Sequence, residues 1–112
     1  MWIFFTKNRG DNIARGGSAI ITDRRRGNFK TFEPFKTRFE TVAAIGTVNG
    51  HTRKMLLVCS YMLPGLQGAD DCLEEIAALV NEARVQFPNL LVAVGGDFNE
   101  FSPQISSQPT QT

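Results

Sequence analysis

Two apolar runs separated by one long amphipathic segment limit this chain to a mixed α/β architecture. The first run, residues 54–61, is apolar on both faces, which is typical of a strand covered on both sides. The second run, residues 90–94, is predicted to be a buried strand. The segment between them predicts a helix that begins near Gly68 and ends before Pro88. Its expected core face consists of Leu73, Ile76, Ala77, Val80, Arg84 and Phe87.

Three further strands are predicted upstream of these runs. The run at 41–48 ends at Asn49-Gly50, and this pair favours a hairpin because a type I′ turn needs positive φ at both central residues. The run at 16–22 begins with a glycine pair and ends at Asp23 and three arginines, which is typical of a strand that leads into a polar loop. The spaced phenylalanines between residues 29 and 39 indicate one edge strand.

The composition is that of one ordinary globular domain, since 42% of the 112 residues are hydrophobic. After Phe101 the chain consists mainly of Ser, Gln, Pro and Thr. We therefore predict a folded domain over residues 1–101 and a disordered tail over 102–112. No apolar run approaches the roughly 20 residues that cross a bilayer, and the opening apolar stretch is too short for a secretory leader. These features predict a soluble, intracellular protein.

The charge is unevenly distributed although the net charge is only +1. Residues 7–38 carry nine Lys and Arg against three Asp and Glu. This basic segment fits a polyanionic partner such as nucleic acid, while a solvated loop is the commoner explanation of a charge cluster. Cys59 and Cys72 form no CxxC pair, and the single histidine, His51, is expected in an exposed loop. Neither a zinc site nor a disulfide framework is indicated.

Residues suited to phosphoryl transfer stand at the ends of both apolar strands. Tyr61 closes the first strand, and Gly96-Asp97-Phe98-Asn99 follows the second. If the helix packs on the sheet and the strands lie near each other, Tyr61, Asp97 and Asn99 converge at one sheet edge. Asp97 can accept a proton from an attacking water, Asn99 can bind a phosphate or a cation, and Tyr61 can donate to developing charge. Mg²⁺ would suit such a site.

The same residues also have simpler interpretations. Gly-Asp-x-Asn more often forms a turn in which the Asp and Asn side chains bond nearby amides. Tyr61 alone is more often a core aromatic residue with a solvated hydroxyl. The stretch GGDFNEF is not the signature of diguanylate cyclases, because Phe98 and Asn99 interrupt the required Gly-Gly-acid-Glu-Phe order.

The ordered set GGSAIIT, VCSYMLP, amphipathic helix and LLVAVGGDFN resembles the endonuclease/exonuclease/phosphatase superfamily, and most closely the apurinic-type endonuclease domains of non-LTR retrotransposons. The resemblance covers residues 16–101. It implies a four-layered, two-sheet α/β sandwich that hydrolyses DNA phosphodiesters with Mg²⁺ or Mn²⁺. Tyr61 would match the active-site tyrosine of the family, Asp97 its catalytic, metal-linked aspartate, and Asn99 the asparagine that contacts phosphate and metal.

Two family elements have no counterpart in the sequence. The fifteen residues before the glycine pair contain no Glu to match the family's metal-binding glutamate, and no Asp or His follows Phe101 to match its terminal Ser-Asp-His. We therefore expect a truncated domain with impaired hydrolysis, in the nucleus if its substrate is DNA. The first alternative is a non-catalytic nucleic-acid-binding remnant. The second is a fragment that does not fold stably, because its sheet edges are exposed.

Overall fold

The computed structural model describes residues 2–7, 17–61 and 66–97, which form a mixed α/β unit with two sheets and one helix. The predicted tail at 102–112 lies outside the described residues. Within the described ranges, no helix is long and apolar enough to cross a membrane. The elements in chain order are β1 (Trp2–Lys7), β2 (Ser18–Asp23), β3 (Gly27–Thr31), β4 (Thr41–Val48), β5 (Met55–Tyr61), α1 (Leu66–Gln86) and β6 (Leu91–Asp97).

The larger sheet has the strand order β3-β4-β5-β6. The pairs β3–β4 and β4–β5 are antiparallel, whereas β6 runs parallel to β5 because α1 returns the chain to the same end of the sheet. The predicted edge strand is confirmed as β3. The predicted hairpin is confirmed as β4–β5, with Gly50 at a φ of 85°. Its connection spans residues 49–54 and is longer than a two-residue turn.

The smaller sheet consists of β1 and β2, which pair antiparallel and pack on one face of the larger sheet. Phe5 on β1 lies in one buried cluster with Val42 and Ala44 on β4. Strand β2 was predicted from the sequence, whereas β1 was not. The overlooked signal is the short apolar run at residues 2–5, in which the structure exposes Trp2 and buries Phe5. Residues 2–5 therefore contribute one strand and part of the core.

Helix α1 covers the opposite face of the larger sheet, but the predicted core stripe is partly wrong. Leu73, expected in the core, is 41% exposed. The helix also begins at Leu66, before the expected start, so no acidic residue lies in its first turn. The predicted stripe is offset because small apolar residues such as Cys72 and Ala83 give a weaker periodic signal than Leu73 does. The residues of α1 that join the buried hydrophobic set are Cys72, Ile76, Leu79 and Ala83.

Strand β6 was predicted to be buried, and this prediction is wrong. The strand is exposed from Ala93 to Asp97, and Val94 is 45% exposed. The physical reason is its place in the sheet, since β6 pairs only with β5 among the strands that the structure describes. The buried residue at this point is Leu90, which precedes the strand and joins the core beneath α1.

Candidate functional site

Tyr61 and Asp97 are neighbours across the parallel pair of β5 and β6. Each is the last residue of its strand, and the two are Cα partners in the strand register. Adjacent strands lie about 4.8 Å apart, so both side chains leave the same sheet edge. Both residues also lie on the sheet face that carries β1 and β2, because Cys59, two residues before Tyr61, packs into that interface. Asn99 lies outside the described residues.

The two side chains differ in their exposure to solvent. Tyr61 is half-buried at the sheet edge, whereas Asp97 is exposed. A half-buried tyrosine has a ring held by its neighbours and a hydroxyl that can reach water or a ligand. An exposed carboxylate can accept a proton or bind a cation without a large desolvation cost. The pair can therefore offer one hydroxyl donor and one carboxylate to the same ligand.

Gly96 allows β6 to approach β5 closely just before Asp97. Its φ is 138°, and a Cβ atom built on it would lie 1.8 Å from the Ser60 main-chain oxygen. No side chain fits at that distance. Gly95 is different, because a Cβ atom there would meet nothing within 4 Å. The role of Gly96 was not predictable from its sequence neighbours, since its close contact is with a residue of another strand.

A buried hydroxyl pair supports the site from the helix side of the sheet. Thr41 Oγ1 and Ser60 Oγ lie 2.8 Å apart, and both residues are almost completely buried. They are also Cα partners at the end of the β4–β5 ladder. This hydrogen bond satisfies two polar groups in the core directly before Tyr61. The pair was not predicted from the sequence, in which each hydroxyl residue appears only as a polar residue near one end of an apolar run.

Glu40 lies at the same sheet edge and contacts both sheets. Its main-chain oxygen accepts hydrogen bonds from the Tyr61 amide at 3.2 Å and from Ser18 Oγ at 2.6 Å. Its carboxylate accepts a hydrogen bond from the Gly17 amide. Glu40 was not predicted from the sequence to be part of the site. It precedes a strand by one residue, and this position alone does not distinguish a structural carboxylate from a solvated one.

The residues present are compatible with Mg²⁺ but do not form a complete protein cage. In the parts of the chain that the structure describes, no group of three or more His, Cys, Asp or Glu side chains could hold a metal. Mg²⁺ is commonly bound by one or two carboxylates, with substrate phosphate oxygens and water as its other ligands. Asp97 fits the role of such a carboxylate. Asn99 remains a predicted ligand.

The basic turn at residues 24–26 lies at the opposite end of the sheets. It is attached there by Asn49, whose amide donates to the Arg26 oxygen at 2.8 Å and whose side chain donates to the Arg25 oxygen at 2.6 Å. Asn49 follows β4, whereas Glu40 precedes it. The eight residues of β4 span about 23 Å between their first and last Cα atoms. The arginine turn and the Tyr61–Asp97 edge are therefore well separated.

Arg25 holds the carboxylate of Asp23 within this turn. Its guanidinium donates to both carboxylate oxygens, at 3.2 Å and 3.1 Å, and its amide donates to one of them at 3.0 Å. The side-chain hydrogen bonds, and secondly the amide hydrogen bond, lower the pKa of Asp23 to about 2. Arg25 is thus engaged in the structure of the turn.

We expect replacement of Asp23 by Asn to make the free energy of unfolding less dependent on pH in acid. The folded pKa lies below the usual 3.8, so the ionised carboxylate stabilises the fold above that value. This contribution is lost as the pH falls from about 4 to about 2. Urea unfolding midpoints measured across this window should therefore fall less in the variant than in the wild type. Asp70→Asn, on the exposed surface of α1, is the control, and parallel curves for wild type and Asp23→Asn would contradict the expectation.

The centre of the candidate site is therefore the Tyr61–Asp97 pair, with Glu40 beside it. His51, the single histidine, is exposed in the β4–β5 connection at the other end of the sheet. It is exposed, as expected from the sequence, and it does not reach the site.

No family model matches the chain, and neither the comparison with curated proteins nor that with solved structures gives a significant match.

Proposed function

We propose that this chain is an endonuclease-type hydrolase that cleaves DNA phosphodiesters with Mg²⁺ or Mn²⁺. The observation that carries the proposal is the placement of Tyr61 beside Asp97 at the carboxyl ends of two parallel strands. Ligands of open α/β sheets bind outside the carboxyl ends of their strands. The resemblance of GGSAIIT, VCSYMLP and GGDFN to the endonuclease/exonuclease/phosphatase superfamily supports the same activity.

In this proposal each residue has a defined chemical task. The exposed carboxylate of Asp97 orients an attacking water and accepts its proton. The hydroxyl of Tyr61 donates a hydrogen bond to the charge that develops on the phosphate. Asn99, two residues after Asp97 in the sequence, would hold a phosphate oxygen and the cation. A bound Mg²⁺ supplies positive charge to the phosphoryl oxygens.

The fold we propose is the four-layered, two-sheet sandwich of the same superfamily. Three layers of the described chain support it, because the larger sheet lies between α1 on one face and the smaller sheet on the other. The exposed apolar side chains on the outer face of the smaller sheet are a reason to propose a fourth layer. Trp2, Phe4 and Ile21 on that face are all more than half exposed, and a further layer would cover them.

The proposal is tested by nicking of supercoiled plasmid and of an oligonucleotide with one abasic site. We expect the purified 112-residue chain to cleave in Mg²⁺ or Mn²⁺ and to lose this activity when EDTA is added. Circular dichroism of the same sample establishes that the chain is folded. Cleavage that persists in EDTA would point to a contaminating or different activity, and a folded chain that cleaves neither substrate would rule the proposal out.

A second candidate function is nucleic-acid binding without chemistry. The observation that favours it is that every described Lys and Arg residue between positions 17 and 38 is exposed. Such residues bind phosphates by releasing counterions, so the affinity falls with rising salt. Binding of this kind should show the same salt dependence with Mg²⁺ and with EDTA. Measurements of DNA affinity against salt in both conditions therefore separate binding from hydrolysis.

The separation of the arginine turn from the site predicts unequal roles for the basic residues. We expect Arg24→Ala and Arg26→Ala to leave the nicking rate within about twofold, because a charge some 20 Å away is screened over a Debye length of about 8 Å. Arg38→Ala is the matched comparison, since Arg38 is exposed and lies two residues before Glu40. It should weaken DNA binding and reduce the salt slope by about one. An equal loss of nicking rate in all three variants would contradict this assignment.

A further inference from the structure

We propose that Glu40 is a positioning residue. It holds Tyr61 at a fixed place relative to the start of β2, so that the tyrosine hydroxyl can donate its hydrogen bond to the phosphodiester. The inference rests on the proposed function, because it assigns Tyr61 a part in hydrolysis. It adds a residue that acts through Tyr61 without touching the substrate. Glu40 lies 21 positions before Tyr61 in the sequence, and the fold brings the two together.

Three hydrogen bonds carry the inference, and all of them converge on Glu40. The Tyr61 amide donates to its main-chain oxygen at 3.2 Å, which continues the β4–β5 ladder one residue beyond Thr41 and Ser60. Ser18 Oγ donates to the same oxygen at 2.6 Å. The Gly17 amide donates to the Glu40 carboxylate. One residue therefore joins the start of β2 to the end of β5.

The hydrophobic cluster between the two sheets makes contacts of a different kind. Its apolar side chains include the buried Phe5 and Val42 and the partly buried Ile20. Apolar contacts are not directional, so they hold the sheets together without defining a precise offset between them. Hydrogen bonds have preferred distances and angles, and they do define such an offset. The Glu40 contacts therefore locate the Tyr61 end of the larger sheet relative to the smaller one.

The carboxylate has a separable role within this arrangement. The main-chain oxygen of residue 40 is present whatever its side chain, whereas the acceptor for the Gly17 amide belongs to the side chain alone. A glutamine at this position retains a side-chain oxygen of nearly the same reach, and an alanine does not. Positioning by hydrogen bonding therefore predicts that Glu40→Gln resembles the wild type and that Glu40→Ala does not.

The single tyrosine of the chain makes the test direct. Protein labelled with 3-fluorotyrosine gives one ¹⁹F resonance, which reports on Tyr61. We expect Glu40→Ala to shift or broaden this resonance and to speed hydrogen exchange of the Gly17 amide by roughly tenfold, as expected for one lost hydrogen bond. Glu40→Gln should leave both close to the wild type. Neither readout requires catalytic activity, and urea unfolding of each variant establishes that it is folded.

Kinetics on plasmid DNA then connect this position to the reaction. We expect kcat of Glu40→Ala to fall by roughly tenfold with KM within about twofold, because misplacement of Tyr61 affects the transition state more than binding. Glu40→Gln should restore kcat. If Glu40→Gln loses as much activity as Glu40→Ala, the negative charge is needed and the positioning role is overturned.

The inference and the proposed function fail in different ways. A folded wild-type chain that does not cleave DNA removes the proposed function and with it the catalytic meaning of Glu40. The fluorine resonance and the Gly17 exchange still decide, in that case, whether Glu40 positions Tyr61. If both are the same in wild type and Glu40→Ala, Glu40 does not position Tyr61, whatever happens to the nicking rate.

Discussion

Replacement of Asp97 by Asn is expected to reduce metal-dependent DNA nicking by roughly 10²- to 10⁴-fold, the usual contribution of a positioned acid or base. The substitution preserves the shape of the side chain but removes its negative charge and its capacity to accept a proton. Asp97 is exposed at the end of β6, so the change leaves no buried polar group without a partner. Initial rates of plasmid nicking in Mg²⁺, for wild type and variant side by side, measure the effect.

Glu82→Gln is the control for this experiment. It makes the same carboxylate-to-amide change at an exposed position near the C-terminal end of α1, which lies at the opposite end of the sheet from the end of β6. We expect this variant to cleave at the wild-type rate. Both variants should unfold at urea concentrations close to that of the wild type. If Asp97→Asn nicks DNA as fast as the wild type, Asp97 is not the catalytic carboxylate and the site proposed here is wrong.

Replacement of Gly96 by Ala is expected to have the largest effect on stability. The new Cβ atom would lie 1.8 Å from the Ser60 main-chain oxygen, and the φ of 138° is one that residues with a side chain rarely adopt. The strand β6 must therefore move away from β5 at this point. We expect the free energy of unfolding to fall by about 3 kcal/mol, measured by urea denaturation. The same movement would separate Asp97 from Tyr61 and lower any nicking activity.

Gly95→Ala provides the matched control one residue earlier. A Cβ atom there meets nothing within 4 Å, and the backbone has no positive φ. We expect a change in stability of less than about 1 kcal/mol, since Ala in a strand costs or gains little when it has room. The contrast between the two variants isolates the contact with Ser60. Similar losses at both positions would instead indicate that β6 is sensitive to any added side chain.

The regular elements were largely predictable because their signals are local. The β4–β5 hairpin follows from two apolar runs around Asn49-Gly50, and the structure places β4 at the expected residues 41–48. The helix was also expected, but its buried face was not, because several apolar residues compete for the same stripe. Leu73 is more hydrophobic than Cys72, yet Cys72 is the one in the core. Packing against the sheet determines which face of α1 is buried, whereas the periodicity of the sequence only limits the possible faces.

The residues of the candidate site were predictable in part for the same reason. Tyr61 and Asp97 were recognised as residues at the ends of strands, and their proximity was conditional on the two strands lying near each other. The structure places them in register on adjacent strands. Glu40 was not recognised, because its partners Gly17 and Ser18 lie more than 20 positions away and its sequence neighbours give no sign of them. The same holds for the contact of Gly96 with Ser60.

Local patterns of residues thus determined which segments of this protein become strands or helix, since hydrophobic periodicity, turn chemistry and strand-ending residues act over a few positions. Only the folded arrangement decided that β6 pairs with β5 alone among the described strands, that β6 is exposed, and that β2 is attached to Tyr61 through Glu40. These features depend on contacts between residues distant in sequence, and such contacts exist only after the chain has packed. The candidate site belongs to both classes, because its residue types are local and its geometry is not.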